Sequence, residues 1–521
     1  MLPSQKITSY WPFGLLLVLV FFIYGPSIGY DFVWDDERTH LTSNTYLTEG
    51  DFGHFWQEPY EGLYIPVSYT AWGLIYKVTD IDAKGHPDPA TFHIINLLLH
   101  LLNGWLVFAI IRLFIPHIAA AALGAALFML HPLQVETVAW VSEFRGLLAT
   151  FFGLAALFFY WGVPADNKSV IRTYVIPSIL LILAMLSKPN MVVLPAFAFV
   201  GDVMLRHKRW DYSLITAMCA MLFTLPVIFM ALDAQPTTNV SFIPPLWSRP
   251  LLALDALNFY LSKLVAPFSL SPSYGRTPQS LIEASFIKWT LLVPVVVGVL
   301  FAIFYKHARP FLACLILFSL GFATVSGLVP FYFQKFSNVA DRYIYLSMFP
   351  AGLALSYAVY KLGRGAQVGA TVLIMFFGGV TFLQVPIWEK EYTLWDKTIA
   401  RYPEQALPYN NRGVVNLDQK RFELAVKDFS KSIQYDSTFA SAYNNRGNAL
   451  ALLSKFQEAI TDYNKAIALK PDYGRAYYNR SLTYANMGQY PQASKDLVMA
   501  GRLGYKANPS YVKQLEQAMG R

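Results

Sequence analysis

The sequence is poor in charge. Only 14% of its 521 residues are Asp, Glu, Lys or Arg, while 55% are hydrophobic. An ordinary soluble domain is about a quarter charged. Mean hydropathy is +0.37, and the apolar residues fall in blocks of roughly 17–25, the length that crosses a hydrocarbon core. This excludes a simple soluble fold. Cysteine is nearly absent: Cys219 and Cys314 both lie inside apolar blocks, which points to small core residues and leaves no pattern for a disulfide scaffold or a thiolate zinc site. No G-x-x-x-x-G-K-[ST] run appears, so nothing points to ATP as the energy source. The first apolar block, about 11–28, follows a single Lys6 and has no A-x-A cleavage site. It reads as an uncleaved first span.

What charge there is sits between the blocks. The net charge is +8, and most of the basic residues between the apolar blocks sit in short loops, which mark membrane topology rather than a nucleic-acid partner. Spans are expected near 11–29, 92–115, 118–133, 146–163, 172–187, 190–205, 212–232, 288–305, 310–328, 343–361 and 367–386. A further block, 251–267, carries Asp255, Asn258 and Lys263 between Pro250 and Pro267. Four basic groups (Lys168 with Arg172; Arg206, Lys208 and Arg209; Lys306 with Arg309; Lys361 with Arg364) all face the cytoplasm only if 251–267 is re-entrant or interfacial. That parity predicts 11 spans and a cytoplasmic N-terminus. Loops 30–91, 134–145, 188–189, 233–287 and 329–342 then share the outer side with everything after Pro386.

The C-terminal part repeats. Tyr409-Asn-Asn-Arg-Gly413 recurs as Tyr443-Asn-Asn-Arg-Gly447 and as Tyr477-Tyr-Asn-Arg-Ser481, each step 34 residues, the tetratricopeptide period. Ala425, Ala459 and Ala493 share one register, and Ile399 aligns with Ile433 and Ile467 as a leading half repeat. The expected fold is all-α: a membrane bundle over 1–387 and a helical solenoid of three repeats plus a half over 388–521. Stacked repeats leave a concave face. Asn411, Arg412, Asn445, Arg446, Asn479 and Arg480 either line it and hold an acceptor peptide, or pack between helices.

Chemistry is sought among ionisable residues at membrane level. Asp35 and Asp36 are an adjacent carboxylate pair just after the first span. One could take a proton from an acceptor hydroxyl as a general base, while the other orients the acceptor or, with Glu37, binds Mg²⁺ or Mn²⁺. The third outer loop supplies His131, Glu136, Glu143 and Arg145. Lys188 and Arg342 stand on the side where positive charge is disfavoured, for which an anionic phosphate ligand is a physical reason.

Phe32-Val-Trp-Asp-Asp36, His131-Pro132 with Glu136 and Arg145, Ser187-Lys-Pro189 and Ala340-Asp-Arg-Tyr343, followed by the repeats, resemble the transmembrane, TPR-containing O-mannosyltransferases, in a bacterial form within the GT-C glycosyltransferase superfamily. The resemblance covers nearly the whole chain. It implies a GT-C fold with Asp35 and Asp36 as catalytic residues, and a polyprenyl-phosphate-sugar donor carrying a mannose-like hexose. It also implies inverting transfer to a hydroxyl of a protein or glycan. Arg342, Lys188, Arg145, His131 and Glu136 would then lie in the donor region. Pro189 departs from the acidic residue that eukaryotic members tend to have after the lysine, and three repeats make a short array. A competing reading is a non-catalytic membrane-anchored TPR scaffold for an envelope complex. A third is a lipid-linked sugar ligase or flippase.

Overall fold

The computed structural model describes residues 11–520 apart from 42, 84, 164–168, 235–241, 285–294, 297, 300–302 and 304. The described residues are helical with no extended sheet, only two isolated bridges in the first outer loop. Lys6, Lys168 and most of the expected span 288–305 lie outside them. The chain divides into two compact units, 1–390 and 391–521. This is three residues beyond the expected boundary, because Trp388 packs on Trp140 in the first unit with ring centroids 6.2 Å apart.

Among the described residues of the first unit five helices are long and apolar enough to cross a membrane: Trp11–Gly29, Pro89–Phe114, Val141–Gly162, Trp210–Asp233 and Arg364–Trp388. The other expected spans fall on shorter or broken helices. Ile118–Leu130 and Pro132–Ala139 form a pair bent by 51°, and Ile171–Ser187, Pro189–Leu205 and Ala308–Gly321 are short apolar helices. Met348–Leu362 has 15 residues. The breaks follow the sequence. Proline lacks an amide proton and fits best in a helix's first turn, and Pro132 and Pro189 each start a new helical turn.

Arg249–Val265, the block of uncertain topology, touches residues 338–340 and the break at His131 along its length. The Leu252 carbonyl accepts from Asn338 at 3.4 Å, Tyr260 donates to the Ala340 carbonyl at 3.0 Å, and the Leu264 carbonyl lies 3.1 Å from His131 Nε2.

Small and polar residues hold the bundle together, as expected where lipid removes the hydrophobic drive between helices. Gly124 and Gly352 meet backbone to backbone, and a Cβ on either would collide with the other's carbonyl. This contact fixes Met348–Leu362, and the loop preceding it, against Ile118–Leu130. Pro89–Phe114 buries His93, Asn96, His100 and Asn103 on one face. Asn96 donates to the Trp140 carbonyl at 3.1 Å and Asn103 to the Leu147 carbonyl at 3.0 Å, seven residues apart on both partners. The break around 140–144 is thereby pinned in place.

The second unit is a tetratricopeptide solenoid. Glu391–Arg401 precedes three helix pairs, Ala406–Asp418 with Phe422–Tyr435, Ala440–Leu452 with Phe456–Leu469, and Gly474–Asn486 with Tyr490–Arg502. Pro509–Ala518 ends it. Glycine is required where the paired helices cross: a Cβ on Gly447 would sit 2.7 Å from the Tyr463 ring, and one on Gly413 2.7 Å from the Phe429 ring. The third repeat solves the same crossing differently, with Ser481 opposite a smaller Leu497.

Candidate active site

The carboxylate pair owes its placement to two backbone features. Trp34 has φ +63°, a left-handed conformation uncommon for a non-glycine residue. Its indole stacks on Trp140 with centroids 4.5 Å apart and planes 9° from parallel, a contact that offsets the strain. Asp36–Leu41 then forms a π-turn. Such a turn closes on i+5 rather than i+4, so the His40 amide donates to the Asp35 carbonyl at 3.3 Å and the imidazole comes back over Asp35.

The two aspartates have different surroundings. Asp36 is fully buried. Its Oδ1 accepts from the Ser142 amide at 2.7 Å and from the Ser142 hydroxyl, and its Oδ2 accepts from the Val33 amide at 3.1 Å. Burial and the neighbouring Asp35 charge push its carboxyl up to about 8, against the pull of those hydrogen bonds. Asp35 keeps 28% of its side chain exposed, with Oδ2 3.4 Å from His40 Nε2. Burial would raise it, but the hydrogen bond and charge of His40 and the charge of Arg145 prevail and hold it below its ordinary range. The surroundings of the pair differ: Asp36 anchors the first loop to the third, and Asp35, held low, faces His40 and keeps part of its side chain exposed.

Around the pair lie three cations and two glutamates. Lys188 donates to Glu143 Oε2 at 2.7 Å, and Arg145 Nε lies 3.6 Å from Glu143 Oε1. Gly146 permits this approach, since a Cβ there would lie 2.6 Å from Glu143 Oε2 and 3.2 Å from Lys188 Nζ. The Ser187 carbonyl before the lysine accepts from Ser68 at 3.0 Å, tying the turn to the first loop. Arg342 donates to Glu136 Oε1 at 2.5 Å through its guanidinium and to Oε2 at 3.2 Å through its amide. The guanidinium is boxed by Phe333, Tyr343, Trp34 and Trp140 at 4.3–5.5 Å. Such faces attract a cation while keeping water away.

Asp35, Asp36, Glu136, Glu143, Arg145, Lys188 and Arg342, drawn from four loops, thus form one connected network. Their meeting at one end of the bundle agrees with the parity argument that put those loops on one side. His131 stands apart from it. Its Nδ1 accepts from the Leu133 amide at 3.3 Å, its Nε2 meets the Leu264 carbonyl, and its ring packs edge-on against Phe377. Sequence reasoning missed His40, Ser142 and Phe333 as site residues. Nothing in the linear pattern marks them, because each acts through a fold contact. Among the described residues no group of three or more His, Cys, Asp or Glu is arranged to hold a metal ion, and both oxygens of Asp36 are occupied by loop donors. The side chain of Glu37, expected beside the pair as a Mg²⁺ or Mn²⁺ ligand, lies outside the described side chains.

In the solenoid the repeated arginines form a ladder. Arg412, Arg446 and Arg480 each clasp the aspartate sixteen residues on: Asp428, Asp462 and Asp496, at 2.6–3.0 Å through two nitrogens. A third nitrogen reaches back to Asp396, Ser430 and Asn464 respectively. The asparagines run alongside, with Asn445 donating to Asn410 at 3.1 Å and Asn479 to Asn444 at 2.9 Å. The clasps join the two helices of one repeat, while the third arginine nitrogen and the asparagines bond between repeats.

Two tetratricopeptide repeat family profiles match residues 440–473 and 462–493. Over 470 residues the chain is 25% identical to Protein O-mannosyl-transferase F38B6.6 of Caenorhabditis elegans, covering 84% of this chain and 65% of the relative. Over 472 residues it is 23% identical to Protein O-mannosyl-transferase TMTC3 of Homo sapiens, covering 80% of this chain and 50% of the relative. The chain spans about one half to two thirds of the length of the curated relatives it matches. Among solved structures, the TPR2B-domain:pHsp70-complex of yeast Sti1 is 30% identical over 22% of this chain and 91% of that chain, with a TM-score of 0.20. The family resemblance read from the ordered motifs and the repeats is the one these relatives carry.

Proposed function

We propose that this chain is an inverting membrane glycosyltransferase that moves a mannose-like hexose from a polyprenyl-phosphate donor to a hydroxyl of a protein or glycan acceptor. The observation that carries the reading is the convergence of an ionised Asp35 with three cations and an aromatic wall at one end of a polytopic bundle. An acceptor hydroxyl gives its proton to Asp35 as its oxygen bonds to the anomeric carbon. On the opposite face the carbon–oxygen bond to phosphate breaks, and its electron pair stays on the phosphate oxygen. Negative charge grows there, where preorganised cations act most strongly. Three cations face Glu136, Glu143 and the ionised Asp35, so the proton that Asp35 takes leaves one positive charge over. Arg145, the most loosely held, is the one best placed to move to the phosphate. No step is routed through a metal.

In the cellular setting that fits this chemistry, the chain sits in the inner membrane with its N-terminus cytoplasmic. The site and the solenoid face the periplasmic or extracytoplasmic side, and the solenoid presents the acceptor protein. The names of the O-mannosyl-transferase relatives support the sugar and the transfer. The test is transfer of mannose from a synthetic polyprenyl-phosphate mannose to serine/threonine peptides by the purified chain. It is paired with mass spectrometry of envelope glycoproteins with and without the chain. Labelled peptide and lost glycoforms are expected; no transfer together with unchanged glycoforms rejects the reading and favours the scaffold.

A further inference from the structure

The network contains one buried group that the transfer step does not use. His40 is 3% exposed. Its Nε2 faces Asp35 Oδ2 at 3.4 Å, and its Nδ1 lies 3.2 Å from the Tyr69 hydroxyl. The ring is held between Trp72, with centroids 5.6 Å apart, and Tyr69, at 6.1 Å. Tyr69 belongs to Pro66–Val78, so two segments of the first outer loop fix one imidazole. We infer that His40 is the positioning residue for the base, donating from Nε2 to hold the Asp35 carboxylate in the orientation that meets the acceptor. The inference rests on the glycosyltransferase reading.

The proton pattern follows from the partners. With Asp35 ionised, a bare Nε2 would set lone pair against carboxylate, so Nε2 carries the proton. Nδ1 then accepts from the Tyr69 hydroxyl when the ring is neutral and donates to it when the ring is charged. The other charged or titratable groups near this pair are Asp36, which raises the cost of a second negative charge, and Arg145, which lowers it. Tyr60 and Glu61 stand beyond Tyr69. His40 differs from Arg145 in that it cannot leave Asp35 for the phosphate: both ring nitrogens are engaged and Trp72 stacks on the ring.

The test uses two amides that replace different ring nitrogens. In H40Q the side-chain amide reaches the place of Nε2 and still donates to Asp35. In H40N it reaches only the place of Nδ1, so Tyr69 keeps a partner and Asp35 loses its donor. Both are assayed as full-length, monodisperse protein with the polyprenyl-phosphate mannose and peptide probes. The acid limb of kcat/KM reports the free enzyme's base. H40N should move that limb up by about one pH unit, with kcat falling about tenfold and KM little changed, and H40Q should restore the wild-type limb. Identical limbs in wild type, H40N and H40Q would overturn the inference while leaving the proposed function standing. So would failure of both amides to fold, which would make His40 a packing residue. Retained transfer by D35N would instead remove the base itself, and with it the catalytic reading.

Discussion

The two adjacent aspartates should respond very differently to the same isosteric change. In D35N the ionised oxygen that accepts the hydroxyl proton is gone, and loss of a positioned general base costs about 10²–10⁴ in rate. In D36N the change is milder, because burial and Asp35 already push the Asp36 carboxyl up to about 8. At neutral pH the asparagine therefore replaces a largely protonated acid. It keeps an oxygen for the two Ser142 donors, but turns an amide toward the Val33 amide, which Asp36 Oδ2 now satisfies at 3.1 Å. One lost buried hydrogen bond is worth about 1–3 kcal/mol. That should appear as a lower thermal midpoint and, through a looser first loop, as a rate loss of about tenfold. The assay is single-turnover transfer from saturating polyprenyl-phosphate mannose, with folding checked by tryptophan fluorescence, since Trp34 and Trp140 stack beside the pair. A D36N protein that is folded but inactive, beside a D35N protein near wild-type rate, would reverse the assignment.

The separated aspartates also give a pH prediction. Asp36 is raised in the folded state, so it contributes stability that is fully present below the unfolded value near 4 and is lost as pH rises through about 8. Unfolding scans from pH 6 to 9 should show falling stability, and D36N should flatten that slope. Asp35 is depressed, so transfer should persist on the acid side down to below the ordinary carboxylate range near 4. E136Q leaves the Arg342 guanidinium buried without its carboxylate and should cost about 3–5 kcal/mol in thermal unfolding, whereas E136L/R342M, which removes both charges, should cost less. G146A forces apart Glu143 and Lys188 and should raise KM for the lipid donor more than it lowers stability, read from donor titration. In the solenoid, G447A places a methyl 2.7 Å from the Tyr463 ring and should cost about 1–3 kcal/mol, while adding Y463L, the third repeat's arrangement, should restore much of it. Hydrogen exchange over 391–521 in the full chain measures both.

Much of the fold was legible because its signals are periodic or cumulative. Apolar blocks of bilayer length and a 34-residue repeat survive without any knowledge of contacts, and Gly413, Gly447 and Ala459 fall where helices cross. The candidate site was legible as a set of loops, because Asp35, Asp36, Glu136, Arg145, Lys188 and Arg342 are charges in places that need a reason. Their division of labour was not legible. Adjacent aspartates look equivalent in a sequence, and what separates them is Ser142, 106 residues away in the chain. His40 was invisible because a π-turn, not an α-turn, brings it over Asp35. The solenoid's arginines were ambiguous for a related reason: a repeated Arg fits either a ligand face or a clasp, and only the aspartates sixteen residues on show the clasp.

The same reasoning explains why the charges sit where helices stop. A chain at membrane depth must satisfy every backbone polar group, so a helix break there needs side-chain partners. The breaks beside the site all have them: the Trp140 carbonyl takes Asn96, the Ser187 carbonyl takes Ser68, the Leu130 carbonyl takes Thr381, and the Ala340 carbonyl takes Tyr260. Neutral side chains thus take these carbonyls, and Glu136 takes the Arg342 amide as well. Glu136, Glu143, Lys188 and Arg342 make their side-chain ion pairs with one another across loops. An arrangement built only for stability would favour apolar packing over such pairs, since replacing a buried ion pair by well-packed hydrophobic side chains is often neutral or stabilising. Retaining these four charges at the breaks, where Asn, Ser, Thr and Tyr take the broken carbonyls, is the physical ground for reading this end of the bundle as the place where a charged substrate is handled.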